Sequence, residues 1–435
     1  MRDASAALGM TDFINNQMES DKQPPLRIGL IGFGCVGQGF YDIVQQQPGL
    51  GLAVARIAVK NPAKPRTLPA DHFTYPADEL LADNTLDVLV EVIDDADEAF
   101  RLVSAALQQG RRVVTANKAM LARHLPELVQ LEHDFGGTLL YEAAVCGSIP
   151  IIRTLDAYFS HEPLRAVSGI FNGSSNYVLT RMSEEGSDYS AALAEAQALG
   201  FAETDPALDM GAFDPRSKAV ILAAHAYGVF LNPDEVLNLG IEAIGAADIA
   251  YAAARGQKVK VVASLQRLAN GRVAALVTPQ LLGPESPLFT VEQEFNGVVV
   301  EGEYAGPQFL RGRGAGGHPT GSAVLADVLA LRRGLRYGYA KQPNALALQP
   351  AEALDLDVYL RHADVSVLRE VLTWLELPAI ALRTDVHGVH ATGVVPLLRL
   401  RQWRSELRAA GVFVARRGEA RPVAVAQDER TAALA

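Results

Sequence analysis

The chain has 435 residues, 20% of them charged and 49% in the hydrophobic set, with a formal net charge of -11. That length can bury two or three separate cores, while the negative balance, with no basic run longer than Arg111-Arg112 or Arg332-Arg333, excludes a broad electrostatic grip on nucleic acid or anionic lipid. Two cysteines, Cys35 and Cys146, cannot make a disulfide framework or a zinc site, so a reducing cytoplasm is expected, and the most apolar helical stretch, Ala219 to Leu231, is too short and too polar at His225 and Tyr227 to span a membrane.

Residues 1–25 carry mixed charges, end in Pro24-Pro25 and lack the apolar stretch of a signal peptide; they are read as a flexible extension. At Leu26 the pattern changes to a short apolar strand, LRIGLIG, then a glycine turn, GFGCVG, then Val36, Phe40, Ile43 and Val44 at helical spacing. Strands are expected at Leu52 to Val59, Leu86 to Ile93, Arg111 to Ala116 and Thr138 to Val145, separated by helices such as Asp97 to Gln109. This alternation predicts a Rossmann-type α/β domain with a parallel sheet over residues 26–150.

Beyond Pro150 long alanine-rich helices, Tyr189 to Leu199 and Arg216 to Val229, interleave with the strand-like runs QKVKVVASLQRL and GVVVEGEYA. A mixed α+β domain for substrate, catalysis and dimerisation is expected over 151–318. The helix Thr320 to Arg333, within 319–340, is expected to return to the first domain. Between 350 and 420 the order is strand (LDVYLR), helix (VSVLREVLTWLE), strand (AIALRT), strand (GVHATGVVPL), helix (LRQWRSELRAAG), strand (VFVARR), which is the ferredoxin-like arrangement.

Gly32, Gly34 and Gly37 form a G-x-G-x-x-G between the first strand and its helix. There the first glycine permits the tight turn, the second lets the backbone approach a pyrophosphate and the third allows close helix packing, with the helix N-terminus facing the phosphates. Gly32, Phe33, Gly34, Cys35, Val36 and Gly37 are therefore assigned to a dinucleotide, although a purely structural glycine turn would be spelled the same way. The second strand ends at Val59-Lys60 with no acid where an NAD enzyme holds its ribose. Lys60, near Lys64 and Arg66, suits a 2′-phosphate and puts NADP ahead of NAD; solvated loop charges are the competing reading.

Glu203, Asp205, Asp209 and Asp214 cluster ahead of Lys218, and Asp214 and Lys218 are spaced to share a helix face. A lysine held beside a carboxylate can exchange a proton with a substrate oxygen. Asp214-Pro215 also spells a helix N-cap and first position, so spacing alone leaves both readings open. Lys118, after Asn117 at the end of the fourth expected strand, stands where α/β folds place ligands, or is simply a solvated lysine at a helix start.

In order across about residues 26 to 335, the stretches IGFGCVGQG, VVTANKAML, YEAAVCGSIPII, GIFNGSSNYVLTRM, LGFAETDPALDMGAFDPRSK, GQKVKVVA and GRGAGGHPTGSAV resemble the homoserine dehydrogenase family. The resemblance implies NAD(P)-dependent interconversion of L-homoserine and L-aspartate 4-semialdehyde, on the route to threonine, methionine and isoleucine, by a cytoplasmic homo-oligomer, dimer or tetramer. It implies Lys218 as the proton-transferring residue oriented by Asp214, and Glu203 and Asp209 as partners of the substrate ammonium. Lys118 would lie where cofactor and substrate meet, Thr115 and Asn117 beside the nicotinamide, and Gly316 in the glycine loop Gly312 to Gly317 that closes near the cofactor. Glu142, Val145, Gly147 and Ile149 match positions that hold a monovalent cation, Na+ or K+, largely through carbonyl oxygens.

The chain departs from the family pattern at Asp94 and Asp95, where two glycines are usual, at Cys146 and Ser148, where small residues are usual, and at Ser174 and Ser175, which replace threonines. The tail resembles an ACT domain in strand order only, because His362-Ala363-Asp364 replaces its glycine turn; a packing or interaction module is the other reading. Two alternatives to the enzyme reading are a catalytically altered regulatory paralogue and a dehydrogenase of a related amino-acid semialdehyde.

Overall fold

The computed structural model describes residues 24–202, 205–268, 270–342, 354–418 and 421–422, which form two compact units. The first contains the chain through Asn117 together with Glu127–Tyr141 and Gly317–Arg336. Its sheet is built from β1 (Leu26–Ile31), β2 (Leu52–Ala58), β3 (Phe73–Thr74), β4 (Val88–Glu91), β5 (Arg112–Thr115) and β6 (Thr138–Leu140), all parallel, in the order β3-β2-β1-β4-β5-β6. This is the doubly wound order of dinucleotide-binding sheets. Val88, Leu89 and Val90 of β4 are all buried, which is why the strand reads as a continuous apolar run without alternation up to its last residue, Glu91.

The strand expected through Val145 ends at Leu140, because Glu142–Ala144 tightens into a 3-10 turn that no sheet pattern would announce. β3 went unread because two residues carry no period. The helix Gly317–Arg332 lies in this unit against the helix Cys35–Gln46, backbone to backbone. A Cβ on Gly39 would stand 2.2 Å from the carbonyl of Gly317, and one on Gly321 would stand 2.5 Å from the amide nitrogen of Phe40. Only glycine allows that approach.

The second unit contains Lys118–Pro126, residues 142–316 and the chain from Tyr337. Its strands are β7 (Leu164–Ile170), β8 (Leu237–Asn238), β9 (Lys258–Arg267), β10 (Val273–Leu282), β11 (Phe295–Gly302), β12 (Gly306–Arg313), β13 (Leu354–Arg361), β14 (Leu382–Asp385), β15 (Gly388–Pro396), β16 (Phe413–Arg417) and β17 (Arg421–Pro422). They make one sheet along β12-β11-β7-β9-β10-β16-β13-β15-β14, with β8 beside β10 and β17 beside β13.

Within it the order β16-β13-β15-β14, with helices Val365–Trp374, Leu397–Gln402 and Arg404–Ala409, is ferredoxin-like. The sequence sets this tail apart over 350–420, whereas in the structure it continues the neighbouring sheet through parallel pairing of Gln280 with Arg416 and Leu281 with Arg417. Leu354, Leu356, Val358 and Leu360 alternate onto the face covered by Leu368, Val371, Leu372 and Leu400. On the opposite face Tyr359 and Arg361 both donate to the buried carboxylate of Asp248, in helix Ala246–Ala253. Among the described residues no helix is long and apolar enough to cross a membrane.

Candidate active site

The glycine turn behaves in space as its spelling demands. Gly32 has φ 104, and a Cβ there would lie 2.9 Å from the carbonyl oxygen of Val92. A Cβ on Gly37 would lie 2.3 Å from the carbonyl of Gly32, so the third glycine brings helix and strand together. Around Gly34, by contrast, a Cβ would meet nothing within 4 Å, leaving open the approach to the backbone at the head of helix Cys35–Gln46. Cys35 is exposed at that helix start. Val36 is half-buried, and Phe33 turns inward to pack edge-on against Tyr41 and Phe73. The donor set and the open backbone fit a dinucleotide pyrophosphate.

At the carboxyl end of the same sheet three side chains interlock. Thr115 Oγ1 donates to Glu91, the amide of Asn117 donates to Thr115 Oγ1 at 3.0 Å, and Asn117 Nδ2 donates to the carbonyl of Ile93 at 3.1 Å. Thr115 and Glu91 are fully buried, and burial pushes the Glu91 carboxyl up to about 7 against the opposing bonds from Thr115 and the Ile93 amide. Glu91 escaped the sequence reading because a single acid ending an apolar strand has no spacing to mark it.

Lys60 lies just beyond β2, its side chain almost wholly in solvent, with Nζ 3.7 Å from Asp95 Oδ2. Asp95 itself caps the helix Ala96–Gln108 by accepting from the Glu98 amide. Arg66 is engaged by the carbonyls of Asn61 and Lys64, which stiffens the loop.

In the second unit the turn between β7 and helix Gly173–Glu185 delivers two backbone-anchored groups, the carbonyl of Phe171 and the side chain of Asn172. Opposite them begins helix Phe213–Tyr227, whose N-cap is Ala212 at φ 60 with no side-chain cap. The capping alternative for Asp214 is thereby removed: Ala212 takes the N-cap position, and the Asp214 carboxylate meets two lysines. Lys218 Nζ lies 2.7 Å from Asp214 Oδ2 and donates to the Phe171 carbonyl at 2.7 Å, while Lys118 Nζ lies 3.1 Å from Asp214 Oδ1. Burial alone would raise the Asp214 carboxyl, but Lys218 and Lys118, with Asn172 donating at 2.9 Å, hold it well below the usual carboxylate range.

Lys218 is buried and Lys118 about half exposed, so the pair differ in access to solvent. Asn172 also donates to Asp209 Oδ1 at 2.7 Å, and burial together with the charge of Asp214 raises the Asp209 carboxyl. Lys118, Asp209, Asp214 and Lys218 thus come together around Asn172, a residue the sequence reading passed over although its Asn-Gly-Ser-Ser context is a legible helix start. Glu203 lies outside the described residues.

Glu142 is buried, and its carboxylate accepts from the amides of Ile152 and Arg153 at 2.8 Å each. Cys146 and Gly147, with φ of 57 and 52, curl the loop that also contains Val145 and Ile149. The Ser148 amide ties this loop to the Arg313 carbonyl at 3.0 Å, and Gly316 holds φ 114, open to glycine.

A parallel sheet in this order with an open glycine loop, in a chain that also gathers two lysines on one buried carboxylate, is the arrangement of an oxidoreductase that works with a pyridine nucleotide. Comparison with known proteins narrows the class. The family model "Homoserine dehydrogenase, NAD binding domain" matches residues 32–142 and "Homoserine dehydrogenase" matches 150–329. The homoserine dehydrogenase of Corynebacterium glutamicum is 37% identical over 377 residues, 82% of this chain and 84% of the relative. That of Pseudomonas aeruginosa is 32% identical over 396 residues, 86% of this chain and 91% of the relative. A crystal structure of a homoserine dehydrogenase from Thiobacillus denitrificans superposes with a TM-score of 0.75 at 28% identity, covering 91% of this chain and 98% of that one. A hyperthermophilic archaeal homoserine dehydrogenase mutant in complex with NADPH superposes with a TM-score of 0.62 at 27% identity, covering 72% of this chain and 99% of that one. The chain belongs to the homoserine dehydrogenase family.

Proposed function

We propose that this homoserine dehydrogenase moves its proton through Lys218, with NADPH as the preferred reductant. One observation carries the proton-transfer assignment: two lysines converge on a single buried carboxylate, and Lys218, the buried one, is also fixed to the main-chain carbonyl of Phe171. A structural ion pair needs one cation for one anion. In the direction of aldehyde reduction Lys218 releases a proton to the carbonyl oxygen of L-aspartate 4-semialdehyde as the carbonyl carbon is reduced; in homoserine oxidation it takes the hydroxyl proton back. The bound nicotinamide nucleotide supplies or accepts the hydride. Asp214 keeps Lys218 oriented, Lys118 adds a cation at the same carboxylate, and Asp209 with Glu203 pairs the substrate ammonium once water is excluded. Thr115 and Asn117 border the nicotinamide in this reading, supported by their interlock at the strand ends.

Retention of Lys118, Asp214 and Lys218 in one cluster disfavours an inactive regulatory paralogue. The preference for NADPH is supported by Lys60, exposed beyond β2 with no acid of its own strand beside it. A monovalent cation at Val145, Gly147 and Ile149 is carried by the resemblance, with Glu142 already partly engaged by helix amides. A homo-oligomer acting in the cytoplasm, its ferredoxin-like tail regulatory or simply packing, completes the reading, and sedimentation with and without threonine tests it.

The decisive experiment follows NADPH and NADH oxidation with L-aspartate 4-semialdehyde in the parent and in Lys60→Asp. The expected outcome is a parent that prefers NADPH and a variant whose preference narrows or reverses, because the new carboxylate repels the 2′-phosphate and accepts from ribose hydroxyls. Asp94 and Asp95 act on both nucleotides, so the ratio of specificity constants still reports on Lys60. An NADH-preferring parent, or an unaltered ratio, refutes the role of Lys60 and leaves the enzyme family standing.

A further inference from the structure

Asn172 donates hydrogen bonds to both Asp209 and Asp214, and its geometry allows no other orientation. Its Oδ1 accepts from the Ser175 amide at 2.8 Å as the N-cap of helix Gly173–Glu185. A backbone N–H can be met only by the amide oxygen, so the NH2 group must face the other way. There it donates to Asp209 Oδ1 at 2.7 Å and to Asp214 Oδ2 at 2.9 Å. The residue is 4% exposed, so bulk water cannot take its place.

We propose that Asn172 is a positioning residue that lets Asp209 and Asp214 stand side by side as anions, and so sets how far into acid the enzyme still holds the substrate ammonium at Asp209. The inference rests on the reading of Asp209 as an ammonium partner. Two carboxylates sharing a dry site repel, and one of them takes up a proton unless other groups hold both charges. Asp214 has Lys218 and Lys118 for that purpose. Asp209 sits in a weaker field: burial and Asp214 drive it toward the neutral acid, and among the described residues the Asn172 NH2, the charge of Lys218 and the hydroxyl of Ser174 oppose them. Asp205, the nearest acid along the chain among the described residues, is exposed and occupied in accepting from the Ala207 amide at 3.1 Å. Asn172 is therefore the strongest neutral donor on the carboxylate least able to keep its charge. An asparagine fills this place because it combines a capping acceptor with two donors, a combination neither serine nor aspartate has.

Two substitutions separate the bridge from the cap. Asn172→Ser keeps a good capping oxygen and removes both donors; Asn172→Asp keeps the cap and points a third carboxylate at the first two. The specificity constant for homoserine is measured from about pH 5.5 to about pH 9.5 at saturating cofactor, alongside the Michaelis constant for the cofactor and the melting temperature. The substrate's own ionisation is common to all variants and cancels. Removing a charge-assisted donor from Asp209 raises its pKa, so the acid limb moves to higher pH in Asn172→Ser and further in Asn172→Asp. The Michaelis constant for homoserine should rise about tenfold more near pH 6.5 than near pH 9, the loss of one hydrogen bond to a charged group. That for the cofactor should not move.

Superimposable profiles, or a uniform loss at every pH in a folded variant, overturn the proposal. Asp209→Asn, assayed in parallel, tells the two failures apart. If it leaves the Michaelis constant for homoserine unchanged, the assignment of Asp209 is wrong and the proposal falls with it. If it raises that constant while Asn172→Ser leaves the acid limb in place, only the role of Asn172 is refuted.

Discussion

Replacing Glu91 by glutamine should make the protein more resistant to unfolding in alkali and leave it unchanged in acid. Glu91 is fully buried at the end of the central strand β4, bonded to Thr115 and to the Ile93 amide at 2.7 Å, and among the described residues no cation is bonded to it. Burial raises its carboxyl from 4.5 to about 7. A group whose folded pKa lies above its unfolded value contributes stability that is complete below the unfolded value and lost as pH rises through the folded one. The window here runs from 4.5 to about 7, and the difference corresponds to roughly 3 kcal/mol at about 1.4 kcal/mol for each pH unit. Glutamine has the shape of the protonated acid and does not ionise, so it escapes the loss. Urea unfolding of parent and Glu91→Gln, followed by circular dichroism near pH 5 and near pH 8.5, isolates the effect, since every other titrating group is common to both proteins. The stability of the parent relative to the variant should fall by about 3 kcal/mol between the two conditions. A difference that does not change with pH would refute the reasoning, and would mean that Glu91 is ionised at both pH values or that its charge is balanced.

Other perturbations test the site and the frame. Lys218→Ala should lower turnover by about two to four orders of magnitude while cofactor binding, followed by fluorescence titration, survives, the range expected for a placed proton-transfer group; unchanged turnover removes Lys218 from the mechanism. Gly39→Ala sets a helix-propensity gain of about 1 kcal/mol against a methyl 2.2 Å from the Gly317 carbonyl, and a net loss of roughly 1–3 kcal/mol by urea unfolding is expected. A stabilised variant would show that the two helices can part freely. Asp248→Ala strips Arg361 and Tyr359 of the carboxylate they share at 2.8 and 2.9 Å, and should cost about 3–5 kcal/mol. A loss below about 1 kcal/mol would mean that Arg361 finds water or another acceptor.

The first unit was legible in the sequence because its determinants are local. Strand and helix periods from Leu26 to Leu140 alternate within short windows, and Gly32, Gly34 and Gly37 state through their missing side chains where backbone must turn, lie open or pack. The spacing of Asp214 and Lys218 likewise puts both on one helix face, yet it cannot tell a cap from a site. That distinction came from Ala212, which takes the N-cap position in a left-handed conformation and frees the Asp214 carboxylate to meet Lys118 from a helix that starts 96 residues earlier in the chain than Asp214 itself. The same is true of Asn172 and of the Phe171 carbonyl, whose partners lie 37 to 47 residues away. Glu91, Thr115 and Asn117 meet because β4 and β5 are neighbours in the sheet, and β16 joins β10 across more than a hundred residues. Periodicity records which face of an element is buried, since that depends on each residue and its near neighbours. It holds no record of which buried groups will face one another, because that choice is made by the packing of elements distant in sequence, where an unpaired charge or donor is too costly to leave unmet.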